Sequence, residues 1–359
     1  MKIAQVAPLY ESVPPKTYGG TERVVSYLTE ALVQQGHEVT LYASGDSVTG
    51  ADLVAVVERG LRLDPSKPDP LVWHTLMLER VLQHADDYDV IHFHTDILQY
   101  PLVRECATPT LTTLHGRLDR PELAMLHTAF ASHPVVSISA HQRGCMPQAA
   151  WLGTVHHGLP RALYRFHGEP GGYFAFLGRV SPEKRLDRAI GIARACGVPL
   201  KVAAKVDDAD RTYFEREVRL LLEDPVVEFV GEIGEERKNE FLGGARALLF
   251  PIDWPEPFGL VMIESLACGT PVVAYCCGAV PEVIEHGVTG YIVDDQQAAI
   301  AAAREVGRLD RRRCRAAFEA RFTAERMAAE YVQLYERLVR RGGGHRSADA
   351  VADTNAVQC

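Results

Sequence analysis

The sequence predicts an α/β protein of two doubly wound, parallel-sheet domains in tandem. Three observations predict it. Short apolar runs alternate with helix-period segments from one end of the chain to the other, the pattern of repeated strand–helix–strand units. One central stretch, Arg165–Gly172, has a proline, three glycines and no periodicity, and reads as an interdomain linker. The 359 residues suffice for two domains of about 100–200 residues, each with a core of ordinary size.

In the first half, Lys2–Pro8, Glu38–Ala43, Val90–His94, Thr110–Leu114 and Val135–Ser139 read as strands. Between the first two, Thr21–Gln35 sets Val24, Val25, Leu28, Leu32 and Val33 at helical spacing, and Gly36 supplies a C-terminal stop. In the second half the strands are Tyr173–Leu177, Leu200–Ala204, Val227–Val230, Ala247–Pro251, Pro271–Tyr275 and Gly290–Val293. Helical patterns between them are clearest at Tyr213–Leu222, Leu260–Cys268 and Val280–His286. Thr323–Arg340 is an amphipathic helix, with Met327, Tyr331, Leu334, Tyr335 and Leu338 on one face. Beyond it, residues 342–359 have almost no large apolar side chain and are expected to form a disordered tail.

Composition narrows the function. The formal net charge of −9 lacks the broad basic excess that gripping a nucleic-acid backbone requires, so no nucleic-acid partner is expected. An anionic ligand would instead be small and held by local cations and helix N-termini. Eight cysteines, none in a C-x-x-C pair and most within apolar runs, read as reduced core thiols of a cytoplasmic protein. The N-terminus reads directly into a strand without a basic flank and apolar h-region, and no apolar run approaches the roughly 20 residues of a membrane span.

Open parallel sheets bind ligands beyond the C-terminal ends of their strands, so the chemistry is sought there. Gly178-Arg179-Val180-Ser181-Pro182-Glu183-Lys184 follows a strand and precedes a helix expected near Glu183. Two cations beside a helix N-terminus make either an anion pocket or an ordinary solvated turn. The second segment, Phe250 to Val273, is more telling. A strand ends near Pro251 and a helix starts around Gly259, leaving first-turn amides aimed above the strand edge. Glu256 lies in the loop and Glu264 inside a helix that is apolar nearly all round. A carboxylate in such surroundings needs a partner, and two ligand hydroxyls would serve.

These segments closely resemble the family 4 retaining glycosyltransferases. The run from Glu256 through Pro257, Phe258 and Gly259 to Glu264 matches that family's E-P-F-G-x-x-x-x-E pattern, and Arg179 with Lys184 matches its G-R-x-x-x-x-K run. Phe229-Val230-Gly231, Gly278-Ala-Val-Pro-Glu282 and Gly287-Val-Thr-Gly290 match in the same order, so the likeness covers nearly all of residues 173–295. It implies the GT-B fold: two Rossmann-like doubly wound domains facing across a cleft. The N-terminal, acceptor-binding domain would take residues 1–165 plus about 323–341, and the C-terminal, donor-binding domain 172–322. Arg179 and Lys184 would hold the nucleotide diphosphate, Glu264 the ribose hydroxyls and Glu256 the donor sugar. Amides of Phe258, Gly259 and Leu260 would complete the cradle, with Val230 near the base. Relatives often carry Gly where this chain has Ala204, which narrows the space beside Lys205, a further candidate for the phosphates.

The N-terminal half is more divergent. Pro14 to Glu22 contains Gly19 and Gly20 and reads as a flexible turn or, by resemblance, as the loop beside the diphosphate. His92, His94 and His115 end neighbouring strands, so a zinc site has to be weighed, but no carboxylate or Cys pattern supports it. The resemblance places His115 near the donor sugar and acceptor as a catalytic neutral imidazole, with His94 and Ser139 as companions on the acceptor side and His157-Gly158 at the strand end before the linker. It implies metal-independent transfer of a hexosyl group, with retention, from a nucleoside-diphosphate sugar to a hydroxyl acceptor that is a sugar, a lipid-linked sugar or a small molecule. UDP-sugars are favoured as donor over GDP-mannose. A membrane acceptor would require peripheral contact only. The alternatives are a sugar-nucleotide epimerase or phosphorylase of similar fold, and a non-catalytic sugar-nucleotide-binding protein. A dehydrogenase would need the glycine fingerprint that is absent.

Overall fold

The computed structural model describes residues 1–16 and 19–352, excepting the side chains of Leu63 and of residues 341–352. The first half runs β1 (Lys2–Val6), α1 (Gly20–Gln34), β2 (Glu38–Ser44), β3 (Asp52–Val57), α2 (Pro70–Gln83), β4 (Val90–Phe93), β5 (Thr110–Thr113), α3 (Pro121–Ala129), β6 (Val135–Ser137), α4 (Ala140–Gly144) and β7 (Trp151–Thr154). Its strands form one parallel sheet in the order β3-β2-β1-β4-β5-β6-β7. The second half runs β8 (Tyr173–Arg179), α5 (Leu186–Cys196), β9 (Leu200–Lys205), α6 (Arg211–Tyr213), β10 (Val227–Gly231), α7 (Glu235–Gly243), β11 (Ala245–Phe250), α8 (Leu260–Ala267), β12 (Val272–Tyr275), α9 (Val280–Val283), β13 (Gly290–Val293), α10 (Gln296–Glu305), α11 (Arg311–Arg321) and α12 (Ala324–Ala352). Its sheet is also parallel, in the order β10-β9-β8-β11-β12-β13. Strand order reverses between β1 and β4 and again between β8 and β11, which sets a topological switch point in each sheet.

Burial explains why these segments are strands. Residues 3–6 of β1 and all of β4, β5 and β12 are buried, as parallel strands covered on both faces must be. The last helix returns to the first sheet. Leu159 bridges Thr323, and the hydroxyls of Tyr331 and Tyr335 reach Thr113 and Gln5 at 2.9 and 3.1 Å. One apolar cluster consequently runs from Ile3 and Leu28 through Phe322 and Tyr331 to Met262 and Leu266. The linker is fastened rather than loose. His167 N–H donates to Cys268 O at 2.9 Å, and the buried Arg311 guanidinium donates to His167 O, Gly243 O and Ala245 O.

Several local expectations need correction. Strands β3 and β7 were not anticipated. The first is a half-exposed edge strand and the second is four half-buried residues interrupted by Gly153, so neither shows a clean apolar alternation. The helix expected near Glu183 starts at Leu186. Pro182–Lys184 forms a single 3₁₀ turn, and Arg185 at φ 53° breaks the path while its guanidinium pairs with Asp187 and Asp253. The helical segment expected at Tyr213–Leu222 is a π turn followed by a 3₁₀ turn, and α9 stops at Val283. Helix α12 is assigned through Ala352, within the segment read as a tail. The rest of that tail, residues 353–359, lies outside the described residues. Cys268 and Cys314 are buried core thiols, whereas Cys276 is exposed at the end of β12. Among the described residues no helix is long and apolar enough to cross a membrane.

Candidate active site

Both switch points open onto one cleft of about 640 Å³, within the usual range for small-molecule sites. The loops after β1, β4 and β5 form one wall and those after β8, β9, β10 and β11 the other. The walls are close. A Cβ built on Gly20, at the start of α1, would lie 3.9 Å from Leu260 Cδ1 at the start of α8. Gly19 and Gly20 line the cleft; Thr17 and Tyr18 of the same loop lie outside the described residues.

On the second-domain wall, Arg179, Lys184, Lys205, Glu256, Phe258, Gly259, Leu260 and Glu264 all line the cleft. Arg179 ends β8 and is surrounded by Glu183 at 2.7 Å, Asp210 at 3.2 Å and Asp207 at 3.8 Å. Lys205 pairs with Asp207 at 2.9 Å. Lys184 forms an ion pair with Glu256 and sits 5.0 Å above the Trp254 ring, whose Nε1–H donates to the same carboxylate at 3.1 Å. Gly259, at φ 83°, adopts the left-handed turn that lets α8 begin at Leu260, and a Cβ there would come within 2.8 Å of Met262 Cε. Helix geometry leaves the amides of Leu260 and Val261, at the cleft-lining start of α8, without intrahelical acceptors, while Met262 N–H donates to Gly259 O at 3.0 Å.

Glu264, which the sequence showed only as a carboxylate needing a partner, pairs with Lys238 at 2.7 Å. Lys238 also lies 3.3 Å from Glu235, which in turn pairs with Arg23 of α1 and accepts the Tyr164 hydroxyl. Burial would raise the Glu235 pKa, but Lys238, Arg23 and that hydroxyl outweigh it and hold the group below its ordinary value. Sequence reading missed Arg23, Lys238 and Glu235. They sit in charged helical turns with no motif spacing, and their partners lie in another element or the other domain. Val230, expected beside a base, is half-buried in β10 and does not line the cleft. Glu232 and Ile233 do, because ligands approach past the strand end and not along it.

On the first-domain wall, His94 and His115 come together, with Nδ1 of His94 2.9 Å from Nε2 of His115. His157 stacks on His115 at 5.4 Å between centroids and meets the Phe258 ring edge-on at 4.9 Å across the cleft. Burial lowers the pKa of His115 to about 3, and burial first, then neighbouring imidazoles, takes His94 and His157 well below the usual value, so all three are neutral at pH 7. His92, with its ring 4.0 Å from that of His94 between centroids, is set back from the cleft, 2.7 Å from both Tyr335 Oη and Thr113 Oγ1. Among the described residues no three His, Cys, Asp or Glu side chains converge as metal ligands.

Ser139 does not line the cleft. It is fully buried and caps α4, accepting the Gln142 N–H at 3.0 Å. Its influence is indirect, since the Gln142 amide donates to Leu114 O and Gly116 O on either side of His115. Glu22 and Asp96 also line this wall and were not anticipated. Burial raises the pKa of both.

Two family models together match residues 18–316: glycosyltransferase family 4 over residues 18–190 and glycosyl transferases group 1 over residues 166–316. A phosphatidyl-myo-inositol mannosyltransferase of Propionibacterium freudenreichii is 26% identical, over 81% of this chain and 82% of its own length. The O-antigen chain mannosyltransferase C of Escherichia coli is 24% identical, over 93% and 99%. Among solved structures, AviGT4, a glycosyltransferase involved in avilamycin A biosynthesis, superposes with a TM-score of 0.74 at 27% identity, over 94% and 98% of the two chains. Anabaena HepE in complex with UDP and glucose shares the fold, with a TM-score of 0.73 at 18% identity, over 94% and 100%. With two facing parallel-sheet domains, both family models matched in sequence and relatives aligned over most of its length, this chain belongs to the family 4 glycosyltransferases of GT-B fold.

Proposed function

We propose that the enzyme transfers a hexosyl group from a nucleoside-diphosphate sugar to a hydroxyl acceptor, with retention of anomeric configuration and without a divalent metal. One observation carries the reading. Two carboxylates in the cleft, Glu256 and Glu264, are each held against an ammonium group, beside Arg179 and the first turn of α8. A diphosphate with hydroxyls on both sides suits that arrangement. Arg179, Lys184 and Lys205 take the phosphates, Glu264 the ribose hydroxyls and Glu256 the sugar hydroxyls, while the amides of Phe258, Gly259 and Leu260 and the backbone at Gly19 and Gly20 complete the cradle. Charge developing on the leaving diphosphate is met by Arg179, Lys184 and the helix terminus, fixed donors that need no reorganisation.

As the bond to the leaving phosphate breaks, the acceptor oxygen attacks from the same face and the departing phosphate oxygen takes its proton. A UDP-sugar is the first candidate donor. GDP-mannose is the second, favoured by the mannosyltransferase names of two relatives.

A melting screen against UDP, GDP, ADP and their hexose conjugates tests the reading. The correct donor at a hundred times its Kd stabilises by about 2.7 kcal/mol. Turnover is then followed in EDTA by NMR. No response to any nucleotide sinks the donor site, and an inverted product anomer sinks the same-face attack. Glu264→Ala is expected to raise the donor KM by roughly tenfold with kcat changed less than threefold, since ribose contacts are made equally in ground and transition states. Steady-state kinetics that show lost kcat at unchanged KM would move Glu264 to the reacting centre.

A further inference from the structure

A chain of hydrogen bonds in the first domain fixes more than His115's location. Gln5 in β1 is fully buried, with Oε1 2.8 Å from His94 Nε2 and Nε2 3.1 Å from Tyr335 Oη. An amide oxygen only accepts and an amide nitrogen only donates, so this one side chain gives the chain a direction. On one side, Gln5 donates to Tyr335, Tyr335 to His92 Nδ1 at 2.7 Å, and His92 Nε2–H to Thr113 at 2.7 Å. On the other, His94 Nε2–H donates to Gln5, which leaves His94 Nδ1 bare to accept from His115 Nε2–H at 2.9 Å. The remaining nitrogen, His115 Nδ1, then carries a lone pair. That atom is buried and has no hydrogen-bond partner among the described residues, although His115 lines the cleft.

We infer that Gln5, anchored by Tyr335 of α12, is a positioning residue that holds His115 in its Nε2–H tautomer, so that Nδ1 serves as the acceptor for one substrate hydroxyl. In this polarity each of the five contacts pairs one donor with one acceptor. Turning the Gln5 amide over would reverse His94 and place a proton on His115 Nδ1, converting the acceptor into a donor. A buried, unpaired lone pair is a costly group that a hydroxyl relieves and an ether or alkyl group does not. The hydroxyl rests on the transferase reading of the cleft; the tautomer does not.

The test is long-range ¹H–¹⁵N NMR of the full chain labelled at histidine, alongside kinetics. In the wild type, His115 is expected to be protonated at Nε2 and bare at Nδ1. Gln5→Met, unbranched and of similar size, is expected to mix the two tautomers and lower kcat about tenfold, the worth of roughly one hydrogen bond, with donor KM within twofold. Tyr335→Phe keeps Gln5 in place but frees its amide, and is expected to give the same spectral change in part. A wild-type His115 protonated at Nδ1 overturns the inference outright. So does lost turnover with the tautomer unchanged in both variants, which would make Gln5 a packing residue. If Gln5→Met does not fold, the wild-type and Tyr335→Phe spectra decide. The expected tautomer in a protein that transfers no sugar would overturn the transferase reading and leave the tautomer standing.

Discussion

Lys184→Ala is expected to lower kcat/KM by about 10²–10³, or roughly 3–4 kcal/mol of transition-state stabilisation, the cost typical of removing one fixed donor from a developing oxyanion. The position explains the size. Lys184 lies in a tight 3₁₀ turn between β8 and α5, over the Trp254 ring and paired to Glu256. Its charge is therefore held in place before the diphosphate leaves. The substitution acts twice, because Glu256 is only 9% exposed and among the described residues keeps just the Trp254 N–H as a side-chain partner once the ammonium is gone. An unpaired buried carboxylate is costly, so a loss of melting temperature should accompany the loss of rate. A double-mutant cycle with Glu256→Gln separates the two effects. If Lys184 acts on the leaving diphosphate as well as neutralising Glu256, adding Glu256→Gln restores the melting temperature but not kcat/KM, whereas recovery of both would leave Lys184 only a counter-ion of Glu256. Wild-type kinetics for Lys184→Ala would remove the phosphate assignment altogether.

How far the site could be read from sequence follows from what each residue touches. Arg179, Lys184, Glu256 and Glu264 were legible because a strand end, a helix start and a charged residue coincide within a few positions, and the glycines and prolines between them mark the turns. His94 was not separable from His92: alternation puts residues two apart on the same face, where their rings lie 4.0 Å apart, and only the strand end decides which of them reaches the cleft. Lys238, Glu235 and Arg23 were not legible. The Arg23–Glu235 pair joins residues 212 positions apart on helices of different domains, and each looks like a solvated surface charge in its own segment. Gln5 and Tyr335 are 330 positions apart, and their pairing depends on α12 returning to the first sheet. Strands β3 and β7 escaped because edge and half-buried strands need no strict alternation. Ser139 misled because a strand-end serine suits a ligand wall and a helix cap equally, and the cap prevailed.

Gly278→Ala is expected to abolish most activity from outside the cleft wall. Gly278 has φ 59°, and a Cβ there would lie 2.2 Å from Glu256 O and 2.3 Å from Glu256 N. Both atoms are backbone, so relief requires the loop carrying Glu256 to move as a unit. The next residue ties the same loop down, Ala279 N–H donating to Glu256 O at 2.9 Å. A displacement of about 1 Å at a reacting centre costs on the order of a hundredfold in rate, and that is the loss expected in kcat/KM. The left-handed backbone adds a stability cost of about 1–2 kcal/mol for any residue with a Cβ. Gly287→Ala supplies the control. Gly287 has φ 74°, but nothing lies within 4 Å of its Cβ position, so it pays the conformational cost alone. The two variants should lose similar melting temperature from backbone strain, with Gly278→Ala losing more, while kcat/KM falls only for Gly278→Ala. Equal losses of rate in both would mean that strain, and not collision with the Glu256 loop, governs activity. A Gly278→Ala enzyme with wild-type kcat/KM would show that the loop can shift without cost and that Glu256 does not need the position seen here.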